Sequence, residues 1–241
     1  MGVTPSPARA VEPGVLADLA AASRILVDQG VFDAAGHVSM RHPHRADRFL
    51  MARSLAPALV TAGDIIELTL DGDRCDPGAG RPFIERFLHA EIYRARPDVG
   101  AIAHGHSPSV VPFGLAPAPM LATYHNAAFL AGGVPVFDIR REFGATDIVI
   151  SDPARGAALA RTLADKPVAL LRAHGFVAVG PSLPVAVFRA VFTEISARIQ
   201  LHATALDGTL AVLDAEEGRL ADAINVATVD RSWHLWKERV R

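Results

Sequence analysis

Apolar residues recur along this chain at two different periods, and the switching between them lays out its elements. Leu16, Leu19, Ala20, Ile25 and Leu26 follow helical spacing, with Gly30 as a stop. Val38–Met40 and Arg48–Met51 read as a strand pair joined by the polar turn His42–Asp47. Ile65–Leu70 alternates apolar and polar up to the hairpin-type turn Asp71-Gly72-Asp73. Phe83, Ile84, Phe87, Leu88 and Ile92 form a helical stripe that starts after Pro82 and stops before Pro97. Further strands are expected at Val99–His106, Val134–Ile139, Val168–Leu171 and Phe176–Val179. Asp152-Pro153 opens a helix over Ala154–Leu163, and Ser182-Leu183-Pro184 opens a long one carrying Phe188, Val191, Phe192, Ile195 and Ile199 on one face. From Asp214 onward, mixed charges around Trp233 and Trp236 predict a final helix docked on the body or on a neighbouring subunit. The proline-rich residues 1–13 predict a loose leader.

This order of elements predicts one α/β domain spanning 1–241. Its expected form is a three-layer α-β-α sandwich with a mainly antiparallel or mixed central sheet. Composition narrows the class of protein further. Half of the 241 residues are hydrophobic and only 6% aromatic, so the core is expected to be built largely from Ala, Val, Leu and Ile. A net charge of −2, from 24 basic and 26 acidic residues without strong runs, argues against nucleic acid or an anionic membrane as partner. The N-terminus lacks a charged-then-apolar signal pattern, and no stretch approaches the roughly 18 apolar residues of a membrane helix. Cys75 is the single cysteine, set in a Gly/Pro/Asp loop as a spectator, which suits a reducing cytoplasm. The expectation is a soluble cytoplasmic protein.

The strongest chemical signal is His104-Gly105-His106 at the end of an apolar strand. Residues two apart on a strand share a face, so the two imidazoles project side by side, with Gly105 leaving space behind them. Such a pair either binds a metal or hydrogen-bonds at the mouth of the sheet. A catalytic metal needs a third ligand, and His174, between two apolar strands, is the best candidate. Glu85 is the nearest carboxylate in sequence. In the first turn of its helix it either serves the site or stabilises the helix terminus, pairing with His89 one turn on.

Together these residues resemble the class II aldolase/adducin family. The matching text is Glu85…Leu88-His89-Ala90-Glu91-Ile92-Tyr93…Arg96-Pro97-Asp98…His104-Gly105-His106-Ser107, then Leu170…His174-Gly175…Gly180, over roughly residues 15 to 205. Gly36-His37-Val38-Ser39 falls where the family has a Gly-Asn-x-Ser loop. The resemblance implies a class II aldolase-like fold and a divalent ion held by His104, His106 and His174. Zn²⁺ leads, with Mn²⁺ and Co²⁺ as alternatives. It also implies Glu85 as the catalytic acid/base, and a homotetramer in which the tail around Trp233 and Trp236 can close a neighbour's site.

Departures from the family pattern point to the substrate. The family's sugar-phosphate aldolases hold phosphate with small hydrogen-bonding residues where this chain has Ala35-Gly36-His37 and Phe83-Ile84. A buried phosphate would be short of donors, so a flatter, more apolar carboxylate is expected. Candidates for binding it are Arg53, Ser54, His37, Arg86, Arg172 and, as part of a wall, Tyr124-His125, with Arg81 a further arginine. Phe49-Leu50-Met51-Ala52-Arg53-Ser54, Pro82-Phe83-Ile84-Glu85-Arg86-Phe87 and His106-Ser107-Pro108-Ser109 make the chain similar to one branch of the family. That branch holds decarboxylases of hydroxylated aromatic dicarboxylates, such as 3-hydroxy-2-methylpyridine-4,5-dicarboxylate and 3,4-dihydroxyphthalate. The expected function is metal-dependent decarboxylation of a hydroxylated aromatic or heteroaromatic carboxylate. The alternatives are an aldolase acting on an unphosphorylated hydroxy-acid, an Fe(II) oxygenase using two histidines and Glu85, and an adducin-like scaffold without catalysis.

Overall fold

A computed structural model of the protein describes residues 11–206 and 210–241. The expected leader lies outside the described residues as far as residue 10, and helix α1 (Pro13–Asp28) already begins within its span. Gly30 ends that helix in the left-handed region, at φ 71°, which a side chain would resist. Strands β1 (His37–Arg41), β2 (Arg48–Ala52) and β3 (Ile65–Thr69) follow, then helix α2 (Arg86–Ala95) and strand β4 (Ala101–Gly105). After β5 (Val136–Phe137) come helices α3 (Arg140–Phe143) and α4 (Pro153–Leu163). The chain then forms the hairpin β6 (Val168–Leu171) and β7 (Gly175–Gly180), and finally α5 (Leu183–Thr204) and α6 (Ala215–Arg239).

The strands form one seven-stranded sheet in the order β3-β2-β1-β4-β7-β6-β5, antiparallel throughout except for the parallel β5–β6 pair. Alternating strand residues face two separate cores. Val38, Ala101, Ala103, Phe176 and Ala178 meet α1, α5 and α6, while Ile102, Ala169, Val177 and Val179 meet α2 and α4. Helices thus cover both faces, giving the expected three-layer mixed α/β architecture.

Two expectations are corrected, and a third is narrowed to one of its alternatives. Helix α2 begins at Arg86, not after Pro82, because Glu85 takes non-helical angles (φ −81°, ψ 15°) as its N-cap. That leaves Ile84 56% exposed beside a cavity instead of inside a helical stripe. The apolar run Val134–Ile139 contributes only a two-residue strand before the chain turns into α3. The C-terminal helix docks on its own body: Trp233 and Trp236 are buried in the core shared with α1 and α5, and Trp236 lies 6.2 Å from Phe192, centroid to centroid. Asp214 and Glu217 close its start with a reciprocal capping box.

Candidate metal centre and substrate pocket

Sheet register brings the site together at one end of β1, β4 and β7. His37 on β1 stands opposite His104 on β4, and Gly105 stands opposite Phe176 on β7, directly after His174-Gly175. The ring centroids of His104, His106 and His174 form a near-equilateral triangle with sides of 5.0, 5.0 and 5.1 Å. One ligand atom from each of these histidines and from Glu85 lies within 4.8 Å of all the others. Glu85 Oε2 sits 3.4 Å from His104 Nε2 and 3.6 Å from His174 Nε2.

Glycines permit this convergence in a way the sequence only half reveals. A Cβ on Gly105 would come within 2.8 Å of the Phe32 ring and 2.9 Å of the Val31 carbonyl, so its space is filled from behind the sheet. The room beside the imidazoles comes from Gly175, where a Cβ would overlap the Gly105 carbonyl and press on the His106 ring.

Each imidazole is oriented through Nδ1. His104 Nδ1 donates to the Phe176 carbonyl and His174 Nδ1 to the Ile148 carbonyl, both at 3.0 Å, and His106 Nδ1 lies 3.2 Å from both Asp33 carboxylate oxygens. A carbonyl only accepts, so Nδ1 of His104 and of His174 carries a hydrogen, and whenever either ring is neutral its lone pair lies on Nε2. Nε2 of His104 is buried without a hydrogen-bond partner among the described residues. It faces the Glu85 carboxylate, another acceptor, at 3.4 Å. Two buried acceptors facing each other need a positive charge between them. The donor set therefore fits a divalent cation held by His104, His106 and His174, with the Glu85 carboxylate beside it.

Protonation agrees with this arrangement. Burial pushes the His104 pKa down to about 3 despite the opposing pull of Glu85, so the ring is neutral at pH 7. Burial favours the protonated form of Glu85, but the hydrogen bonds it accepts from His174 and His37 lower its pKa and favour the carboxylate. His174 moves the other way. Burial disfavours its charge, yet Glu85 and the Ile148 carbonyl together raise its pKa above 6.5.

One loop serves both Glu85 and His174. Ile150 donates its backbone N–H to Glu85 Oε1 at 3.0 Å, and Ile148 supplies the carbonyl for His174. Ile148 does so at φ 57°, a strained conformation for a β-branched residue that costs on the order of 1–3 kcal/mol. Neither this loop nor Asp33 carries a signal in the sequence, because their roles are played by main-chain groups and by one loop carboxylate among many.

A cavity of about 420 Å³ opens beside Glu85, walled by Phe83, Ile84, Leu55 and Val149, with His37 and Ser54 as the only side-chain hydrogen-bond donors among its lining residues. Of the expected substrate-binding residues, these two alone line it. Arg53 pairs with Asp64 at 2.8 Å, and Arg172 with Asp138 at 2.9 Å. Arg86 donates to the Gly72 and Phe83 carbonyls and stacks 4.2 Å from the Phe87 ring centroid. Arg81, with Arg86, lines a separate pocket beside Gly72. Tyr124 packs against Phe192 with its hydroxyl buried and without a hydrogen-bond partner among the described residues, and His125 is an exposed residue whose carbonyl accepts from Asn225. The arginines are drawn away because each finds a carboxylate or carbonyl nearer than the cavity, a competition that spacing along the chain does not expose. His89 is likewise not paired with Glu85; its two ring nitrogens bond His37 and Ser39. A second cavity, of about 460 Å³ around Met40, Gly100, Pro181 and Trp233, has no converging imidazoles.

Residues 17–201 match a known family model, Class II Aldolase and Adducin N-terminal domain. The chain belongs to this family. It is 34% identical to "Decarboxylase tropJ" of Talaromyces stipitatus over 239 residues, covering 90% of each chain. It is 30% identical to a 3,4-dihydroxyphthalate decarboxylase of Arthrobacter keyseri, covering 97% of this chain and 96% of that one. Its fold superposes on the crystal structure of an aldolase II superfamily protein from Pseudomonas syringae with a TM-score of 0.79 at 25% identity, over 99% of this chain and 94% of that one.

Proposed function

We propose that this family member is a carbon–carbon lyase using a divalent metal to decarboxylate a hydroxylated aromatic or heteroaromatic dicarboxylate. The observation that carries the reading is the buried, unpartnered Nε2 of His104 facing the Glu85 carboxylate beside a cavity walled by Phe83 and Ile84. The decarboxylase relatives support the same chemistry. His104, His106 and His174 would hold the ion, with Zn²⁺ the first expectation and Mn²⁺ or Co²⁺ alternatives. When bound, it supplies Lewis acidity, drawing electron density from the breaking bond through a substrate oxygen.

The remaining steps belong to the protein. An ionised Glu85 must gain a proton before it can give one. It takes the proton of the ring hydroxyl and returns it to the ring carbon bearing the carboxylate. The C–C bond then breaks, CO₂ departs, and the electron pair of that bond restores the ring; the product oxygen regains its proton from solvent. The apolar walls favour a flat ring and give a phosphate few donors.

We further propose one domain acting on a small carboxylate, assembled as a homotetramer; the exposed Leu220, Ile224 and Leu235 on α6 are compatible with such an assembly. Among the described residues no helix is long and apolar enough to cross a membrane.

The test is to load the protein with Zn²⁺, Mn²⁺ or Co²⁺, supply 3,4-dihydroxyphthalate or unphosphorylated hydroxy-acids, and measure CO₂ and aldehyde release. CO₂ from the aromatic acid supports the proposal, and aldehyde from the hydroxy-acid replaces it with aldol cleavage. O₂ uptake with Fe(II) would mark an oxygenase, and a protein that binds no metal would be a scaffold.

A further inference from the structure

Behind the cavity a hydrogen-bonded chain runs from its wall into the core. His37 Nδ1 lies 2.8 Å from His89 Nε2, His89 Nδ1 lies 2.7 Å from Ser39 Oγ, and Ser39 Oγ lies 2.8 Å from the Tyr93 hydroxyl. All four side chains are buried, His89 and Ser39 completely. At the outer end, His37 Nε2 sits 3.8 Å from Glu85 Oε2, on the cavity side of the ring.

Counting hydrogens fixes the direction of this chain. The Tyr93 hydroxyl has no hydrogen-bond partner but Ser39 among the described residues, and a buried hydroxyl hydrogen without an acceptor is costly. Tyr93 therefore donates to Ser39. Ser39 has one hydrogen to give, and His89 Nδ1 receives it. His89, held neutral because burial drives its pKa well below 6.5, then carries its hydrogen on Nε2 and donates to His37 Nδ1. His37 is left with its hydrogen on Nε2, facing the cavity. The reverse direction strands the Tyr93 hydrogen and turns the His37 lone pair toward the Glu85 carboxylate.

We propose that His37 binds the substrate by donating its Nε2–H to a substrate carboxylate, and that His89, Ser39 and Tyr93 are positioning residues that hold it in this tautomer. This role rests on the dicarboxylate reading above. It also explains how an anion can be recognised in a cavity that none of the candidate arginines lines. Ser54 is the one other side-chain donor there, so the two together distinguish a carboxylate from an uncharged ring substituent.

The tautomer is measurable without turnover. Imidazole ¹⁵N spectra of the Zn²⁺-loaded protein, with the His37 signals assigned by their loss in His37→Asn, should show a protonated Nε2 and an unprotonated Nδ1. In Ser39→Ala a population with the hydrogen on Nδ1 should appear. Phthalate, an unreactive dicarboxylate, should bind His37→Leu about 10- to 100-fold more weakly than wild type, the range for one lost hydrogen bond to a charged group. The amide of His37→Asn should recover part of this, with metal content equal in all variants. An unprotonated Nε2 in the wild type overturns the proposal. Equal phthalate affinity in His37→Leu overturns the role of His37 while leaving the decarboxylase standing if CO₂ is still released. Absence of both CO₂ release and phthalate binding in the wild type overturns the dicarboxylate reading and this role with it.

Discussion

The backbone N–H of Ile150 donates to Glu85 Oε1 at 3.0 Å, which leaves Oε2 as the oxygen facing His104 and His174. One carboxylate oxygen is thus anchored to the fold and the other is reserved for chemistry. Glu85→Gln keeps the anchor but removes the charge and the ability to carry a proton. Metal should remain bound through the three imidazoles, while turnover falls by roughly 10²- to 10⁴-fold. Metal analysis and single-turnover CO₂ release check both halves, and turnover near the wild-type level would remove Glu85 from the reaction.

Asp33 reaches the site only through His106, whose Nδ1 it holds with both carboxylate oxygens. Outer partners of this kind fix the orientation of the ring and its tautomer. Asp33→Asn should therefore weaken metal affinity by about 10- to 100-fold with little change in fold. Competition against a chelator measures this, and unchanged affinity would show that His106 is oriented by other contacts.

The raised pKa of His174 gives the site a definite pH dependence. Metal binding requires the neutral ring, so affinity should decline as pH falls through that raised pKa. The decline should start at higher pH than an ordinary histidine would give, whereas His104, already neutral above about 3, should contribute none of it near neutrality. In metal-free protein the sign reverses for stability. The His174–Glu85 pair contributes fully below pH 6.5 and is lost as pH rises through the folded-state pKa. Calorimetry in buffers of different ionisation enthalpy should detect proton release on metal binding that grows as pH falls through the raised pKa, and release that does not change with pH would contradict the shift.

Trp236 separates stability from site chemistry. It is 6% exposed in the core shared by α1, α5 and α6, so Trp236→Ala should cost about 3–5 kcal/mol of stability. Thermal denaturation should show the loss while metal affinity at low temperature stays unchanged. A metal or substrate defect without a stability loss would instead make this helix part of an active site.

The elements and three of the convergent groups were legible along the chain because they obey short-range rules. Strand period puts His104 and His106 on one face, Asp152-Pro153 marks a helix start, and His174-Gly175 stands out between two apolar runs. Local pattern fails where distant groups compete. Glu85 lies in a non-helical cap because a main-chain amide from the 148–150 loop holds it. Arg53 and Arg172 turn to Asp64 and Asp138, partners 11 and 34 residues away. The direction of hydrogens from Tyr93 to His37 follows from contacts between β1 and α2 that no spacing encodes. Sequence determined which side chains are able to bind a cation; tertiary structure decided which way each ring points, which carboxylate is ionised among them and which donors face the cavity. The physical reason is that protonation and orientation depend on burial and on the nearest charge in space, and folding sets both.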